Sequence, residues 1–196
     1  MCLPFLIIGL GNPGRDYLGT RHNAGFLAVE HVAGRLGSDW RSDKRFTANL
    51  AQGEHAGRRL IFCRPETYMN ASGDAVARVT AYFKVDVERI LVVVDDADIP
   101  FGTLRLRPGG SSGGHRGLKS VEQRLGTQEY ARLRIGIGRR DQDREIAGYV
   151  LSRFSRQEQA ELDPILARVA DQIICWLEQG VALAMNRYNG PVIDKD

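Results

Sequence analysis

Four side chains in this sequence are of types that together could supply a base, a carboxylate to orient it and amides to hold a carbonyl. His22, in Thr20-Arg21-His22-Asn23, could take a proton from water, and Asp95, which closes the apolar run Ile90–Val94, could orient that imidazole. Asn12, in Gly9-Leu10-Gly11-Asn12-Pro13-Gly14, and Asn70, which ends Pro65-Glu66-Thr67-Tyr68-Met69-Asn70, carry amides able to hold a carbonyl. Each also has an ordinary explanation. Asn12 suits a turn, Asn70 a helix N-cap, and His22 a surface site near a helix start. Asp95-Asp96-Ala97-Asp98 reads equally as a solvated carboxylate run, and Tyr17 and Met69 as packing. What would make them a site is convergence, which depends on the elements that carry them.

Those elements can be read from the apolar pattern. Phe5-Leu6-Ile7-Ile8 is short and apolar enough for a buried strand, and it runs into a loop of three glycines and a proline. Ala24, Leu27, Ala28, Val32 and Leu36 recur at helical spacing and predict a helix over about 21–36. Phe46, Ala48 and Leu50 alternate, and Leu60–Cys63 follows a Glu54-His55-Ala56-Gly57 turn, as in a β-hairpin. A second helix follows Asn70 and buries Ala75, Val76, Val79, Tyr82 and Phe83. Ile90–Val94, apolar without alternation, reads as a central strand covered on both faces.

Two further strands, 102–107 and 132–138, alternate arginine with apolar residues, which predicts an arginine face on each. Between them lie the loop Pro108–His115 and a helix over about 117–125. Ser155-Arg156-Gln157-Glu158 is a capping box that opens a long helix, with Pro164 expected to kink or divide it. This order of elements predicts a single three-layer α/β/α domain over 1–196 with a mixed, mostly parallel twisted sheet. Ligands of such sheets sit beyond the carboxyl ends of parallel strands. If the first strand and Ile90–Val94 are parallel neighbours, Asn12, His22 and Asp95 share one rim, and Asn70 can face it.

Composition narrows the chemistry. In 196 residues, 43% hydrophobic and 26% charged, nothing approaches a membrane span. The start Met1-Cys2-Leu3-Pro4-Phe5 lacks the features of a signal peptide, so a cytoplasmic protein is expected. Cys2, Cys63 and Cys175 are scattered, and His22, His31, His55 and His115 show no ligand spacing, so no metal is expected. The net charge of +3 is uneven: the window Arg105–Arg144 holds ten Lys/Arg against four Asp/Glu, hence +6, and the remainder −3. Such a window points to a polyanionic partner or to a solvated arginine-rich face.

Three motif matches lead elsewhere and are weak. Gly9-x-Gly11-x-x-Gly14 fits the dinucleotide fingerprint, but the apolar helical spacing starts only near Ala24, far past the third glycine. Gly110-Ser111-Ser112-Gly113-Gly114 fits a nucleophile elbow, yet no histidine follows His115 to complete a triad in that order. In Gly117-Leu118-Lys119-Ser120, Leu118 interrupts the Gly-Lys-Ser of a P-loop.

Taken in order, the motifs resemble those of bacterial peptidyl-tRNA hydrolases over essentially the whole chain. They are Gly9–Gly14 with Tyr17, Thr20–Gly25, Pro65–Asn70 with Ser72-Gly73, Asp95–Pro100, Gly113–Leu118 and Arg132–Gly138. The resemblance implies hydrolysis of the ester between a peptide and the 3′ ribose of tRNA; no metal or cofactor is expected, and the expected state is a monomer. It implies that His22 activates water with the help of Asp95, that Asn12 and Asn70 position the peptide or the carbonyl, and that Tyr17 and Met69 line the cleft. It also puts a clamp for the tRNA 5′ phosphate on Arg107 and Arg134. Arg116 departs from the pattern, standing where the family usually has asparagine. A guanidinium only donates, so the role expected of Arg116 is contact with a tRNA phosphate. A non-hydrolytic RNA-binding relative, like those used as organellar splicing factors, is the alternative that Arg116 keeps open.

Overall fold

The computed structural model describes residues 3–139 and 146–193. Along the chain run β1 (Phe5–Gly9), α1 (Ala24–Arg35), β2 (Trp40–Asp43), β3 (Ala48–His55), β4 (Arg58–Pro65), α2 (Ser72–Phe83) and β5 (Ile90–Asp96). Then come β6 (Thr103–Arg107), α3 (Arg116–Leu125), β7 (Ala131–Gly136), α4 (Ile146–Val150), α5 (Arg156–Gln179), α6 (Val181–Tyr188) and β8 (Gly190–Pro191). The strands form one sheet in the order β2-β3-β4-β1-β5-β7-β6-β8. The central four, β4-β1-β5-β7, are parallel, and the antiparallel pairs lie at the two edges.

Both faces of the central strands are buried, which explains why Ile90–Val94 does not alternate. Ile7, Leu91 and Val93 face one layer, built on α1 and α5. Leu6, Ile8, Ile90, Val92 and Val94 face the other, built on α2 and α3. The hairpin between β3 and β4 turns on Ala56 and Gly57, at φ 49° and 73°. Two consecutive positive φ angles match the twist of the flanking strands.

What fixes the rim is the β1–β5 pairing. Gly9 lies opposite Val93, and the Leu10 N–H donates to the Val93 carbonyl at 3.0 Å. The first turn of α1 presses onto these strand ends. A Cβ on Gly9 would come within 2.2 Å of the Gly25 carbonyl oxygen, and one on Gly25 within 2.4 Å of the Val93 oxygen. Only glycine at both positions allows that approach.

The structure corrects the sequence reading in several places. The predicted helix over 21–36 opens as a separate 3₁₀ turn, Arg21–Asn23, before α1 begins. Pro164 neither ends nor divides α5, which is continuous over 24 residues. Its ring stands on the exposed side, where water can satisfy the carbonyl deprived of its partner. Asn70 is not an N-cap: it lies within the 3₁₀ turn Met69–Ala71, and Ala71 precedes α2 without any side-chain cap. The alternation in β7 does not give an exposed arginine face, because the Ser111–Ser112 loop and Glu122 of α3 cover it. Arg132 is 1% exposed, ion-paired with Glu122 at 3.1 Å.

Candidate active site

At the carboxyl rim, Asp95 is 2% exposed and points into the space between two histidines. His22 Nδ1 lies 2.9 Å from Asp95 Oδ1, and His115 Nε2 lies 3.2 Å from the same oxygen. Their rings are 5.2 Å apart. The tautomers follow from the neighbours. His115 caps α3, and its Nδ1 accepts the Leu118 N–H at 3.2 Å, so its proton sits on Nε2 and is donated to Asp95. The carboxylate can only accept, so His22 likewise carries its proton on Nδ1. His22 Nε2 then presents a lone pair and has no partner among the described residues.

Burial by itself would push the Asp95 carboxyl up, but the hydrogen bonds from His115 and His22 outweigh it and hold this group well below the ordinary carboxylate range. The site therefore contains an acceptor that is ionised at neutral pH behind an imidazole with a free nitrogen, the arrangement a general base needs. His115 lies 93 positions from His22 along the chain, and sequence spacing gave it no role. The available signal was its place at the end of a glycine-rich loop directly before a helix.

His22, Asp95 and His115 each offer one ligand atom within 4.8 Å of the others, a spacing on which a cation could close. The donor set argues against it. With Nδ1 of His115 engaged by Leu118, its Nε2 keeps a proton and cannot ligate.

Asn12 joins this rim through backbone contacts. Its Oδ1 accepts the Met69 N–H at 2.8 Å, which turns its NH₂ the other way, and that NH₂ has no partner among the described residues. Asn23 fixes the loop from behind: its Oδ1 accepts the Asn12 N–H at 2.8 Å, and its Nδ2 donates to the Asn12 carbonyl at 3.0 Å. This bracing role of Asn23 has no sequence signal of its own. Asn70, next to Met69, is exposed and makes no hydrogen bond among the described residues. It shares the turn Met69–Ala71 with the N–H that Asn12 accepts.

Tyr17 is half-buried and meets the exposed Tyr68 edge to face, with ring centroids 6.4 Å apart. Met69 is buried among the core residues of the α2–α3 layer, so its clearest roles are packing and the N–H given to Asn12. Gly117 makes room for this packing. A Cβ there would lie 2.4 Å from Met69 Sδ and 3.1 Å from the His115 ring.

The arginines divide into two groups. On paired β6 and β7, Arg105 lies opposite Arg134 and Arg107 opposite Arg132, so all four share a face. Arg134 is committed inward, bonded to Asp96 at 3.0 Å and to the Ser111 and Ser112 carbonyls at 3.1 Å each. Arg132 holds the same Ser111 carbonyl at 3.1 Å, so both arginines shape the loop that leads to His115. Arg105, Arg107, Arg116 and Lys119 are exposed and have no partner among the described residues. Arg124 and Arg139 are paired with Asp74 and Asp98, and Arg140 and Arg144 lie outside the described residues.

A three-layer α/β scaffold that sets an imidazole–carboxylate pair at its carboxyl rim has the geometry of an enzyme working by acid–base chemistry. The profile of the peptidyl-tRNA hydrolase family matches residues 6–196. The chain is 48% identical over 186 residues to the peptidyl-tRNA hydrolase of Chloroflexus aggregans, covering 94% of this chain and 98% of that one. It is 46% identical over 184 residues to that of a Synechococcus strain, covering 94% and 82%. A crystal structure of peptidyl-tRNA hydrolase from Acinetobacter baumannii superposes with a TM-score of 0.91 at 34% identity, covering 98% of each chain. The chain belongs to the peptidyl-tRNA hydrolase family. No helix among the described residues is long and apolar enough to cross a membrane.

Proposed function

We propose that this chain hydrolyses the ester joining a peptide to the 3′ ribose of tRNA, with His22 as general base. The observation that carries the reading is the 2.9 Å contact between His22 Nδ1 and Asp95, which leaves Nε2 free on the rim. Nε2 takes a proton from water as the oxygen attacks the ester carbonyl, and Asp95 stabilises the imidazolium that forms. The free NH₂ of Asn12 donates to the developing oxyanion, worth roughly 3–4 kcal/mol for a well-placed donor. Asn70 holds the peptide end. As the intermediate collapses, the ribose oxygen leaves with the proton from His22, releasing a peptide carboxylate and a tRNA with a free 3′ hydroxyl.

His115 donates to the same Asp95 oxygen, which helps keep that carboxylate ionised and in place. No metal is needed, because the groups facing one another are already joined by protons, and no cofactor enters these steps. Arg105, Arg107, Arg116 and Lys119 meet phosphates of the tRNA, and Arg134 supports them from behind through the Ser111–Ser112 loop. Phosphate contacts carry little base information, which suits an enzyme that must accept many tRNAs. Tyr17 and the exposed Tyr68 flank the peptide as an aromatic pair. The enzyme acts as a monomer in this reading.

The test is incubation of purified protein with N-acylated aminoacyl-tRNA, with and without His22→Ala. Release of the acyl-amino acid by the wild type and its loss in the variant supports the hydrolase. Tight tRNA binding without cleavage by either protein overturns it in favour of a binding scaffold. The intact His22–Asp95 pair and relatives that are named hydrolases favour the enzyme over that alternative.

A further inference from the structure

The turn Arg21–Asn23 that carries His22 is braced from two sides. On one side Asn23 is tied to the Asn12 loop. On the other, Arg21, 6% exposed, is bound by residues from a segment more than a hundred positions later. Its backbone N–H donates to the Ser152 carbonyl at 3.0 Å, and Thr20 forms an isolated β-bridge with Arg153. Its guanidinium donates to Ser152 Oγ at 2.7 Å, to the Arg153 carbonyl, and to Glu158 Oε2 at 2.6 Å. The Tyr149 and Phe154 rings lie 4.6 and 5.4 Å from it. The Glu158 oxygen it holds also accepts the Ser155 N–H at 2.7 Å, so the capping box of α5 and the Arg21 anchor share one carboxylate.

By contrast, among the described residues the His22 ring is hydrogen-bonded at one atom only, Nδ1. Its register with Asp95 therefore depends on where the turn sits. We propose that Arg21 is a positioning residue for His22: docked on Glu158 and the 149–154 segment, it holds the 3₁₀ turn so that the imidazole stays in register with Asp95. The inference rests on the hydrolase reading above and assigns Arg21 no contact with substrate. Lysine cannot replace it, because a point charge can meet Glu158 but cannot also span Ser152 and Arg153 with a planar fork.

The test uses Arg21→Lys and the double variant Arg21→Met/Glu158→Gln. The double variant leaves no unpaired buried charge, and glutamine keeps the capping box. Misplacing a catalytic group by about 1 Å costs on the order of 10²-fold, so kcat should fall 10- to 100-fold while KM changes less than threefold. A second readout does not depend on activity: solvent exchange of the His22 Nδ1 proton, followed by NMR. It should become at least tenfold faster in both variants, while the His115 Nε2 proton, held through the cap of α3, stays as in the wild type. A folded variant with wild-type kcat and unchanged exchange overturns the proposal, as does a defect confined to KM or equal loosening of both histidines. If the wild type fails to cleave acyl-aminoacyl-tRNA, the hydrolase reading falls, and the exchange measurement still decides whether Arg21 holds His22.

Discussion

Replacing Asp95 with asparagine removes a charge while leaving an acceptor in place, and its cost can be worked from the geometry. Asp95 Oδ1 receives both histidine protons, from nitrogens at 2.9 and 3.2 Å, and an asparagine oxygen can occupy that position with its NH₂ turned away. The orientation of His22 should therefore survive. What is lost is attraction between the carboxylate and the imidazolium that forms as water is deprotonated. With charge centres about 4 Å apart and an effective dielectric constant near 20, that attraction is about 4 kcal/mol, or roughly a 10³-fold loss of kcat. The loss arises only in the transition state, so kcat/KM should fall by a similar factor. Because its hydrogen bonds hold Asp95 well below the ordinary carboxylate range, the wild-type group stays ionised throughout the assay range. The deficit should then be the same from about pH 5 to pH 9, where an aspartate of ordinary pKa ~3.9 is already ionised. Steady-state hydrolysis of N-acyl-aminoacyl-tRNA across that range measures it. A variant within tenfold of wild type, or a deficit that vanishes at high pH, would refute the electrostatic role.

Asp95 should also appear in acid stability. Its carboxyl is depressed in the folded protein, so its contribution is complete above the unfolded value, ~3.9, and is lost as pH falls toward the folded one. Denaturant melts of wild type below about pH 4 should show a loss that Asp95→Asn lacks. Arg107→Ala should weaken tRNA binding and lower the slope of log K against log salt by about 0.7–0.9 for each phosphate contact removed; an unchanged slope in a filter-binding titration would place the phosphates elsewhere. Gly117→Ala should cost roughly 1–3 kcal/mol and lower activity, since its Cβ must displace Met69 and the His115 ring. Wild-type stability and rate together would show that the packing there is loose. Prolonged dialysis against EDTA should leave turnover unchanged, and a loss restored by a divalent ion would contradict the proton-linked reading of the two histidines.

The sequence by itself determined the local elements and the identities of the reacting groups. The apolar runs at 5–8 and 90–94, the hairpin, the capping box at Ser155 and the glycine loop each follow from period, turn chemistry or capping, which act over a few residues. Asn12, His22 and Asp95 could be nominated because strand ends are readable from where apolar runs stop. Tertiary structure decided everything that depends on which elements become neighbours. Arg132 and Arg134 alternate like exposed residues, yet the Ser111–Ser112 loop and Glu122 of α3 lie over their face of β7, so both became internal ties for the loop before His115. Pro164 looked like a break, but tertiary packing of α5 outweighs one missing hydrogen bond on its wet side. His115 reaches Asp95, and Arg21 reaches Glu158, across 20 and 137 positions. Contacts of that kind leave no periodic trace, because they are set by the order of strands in the sheet and the close approach of α1 at Gly9 and Gly25.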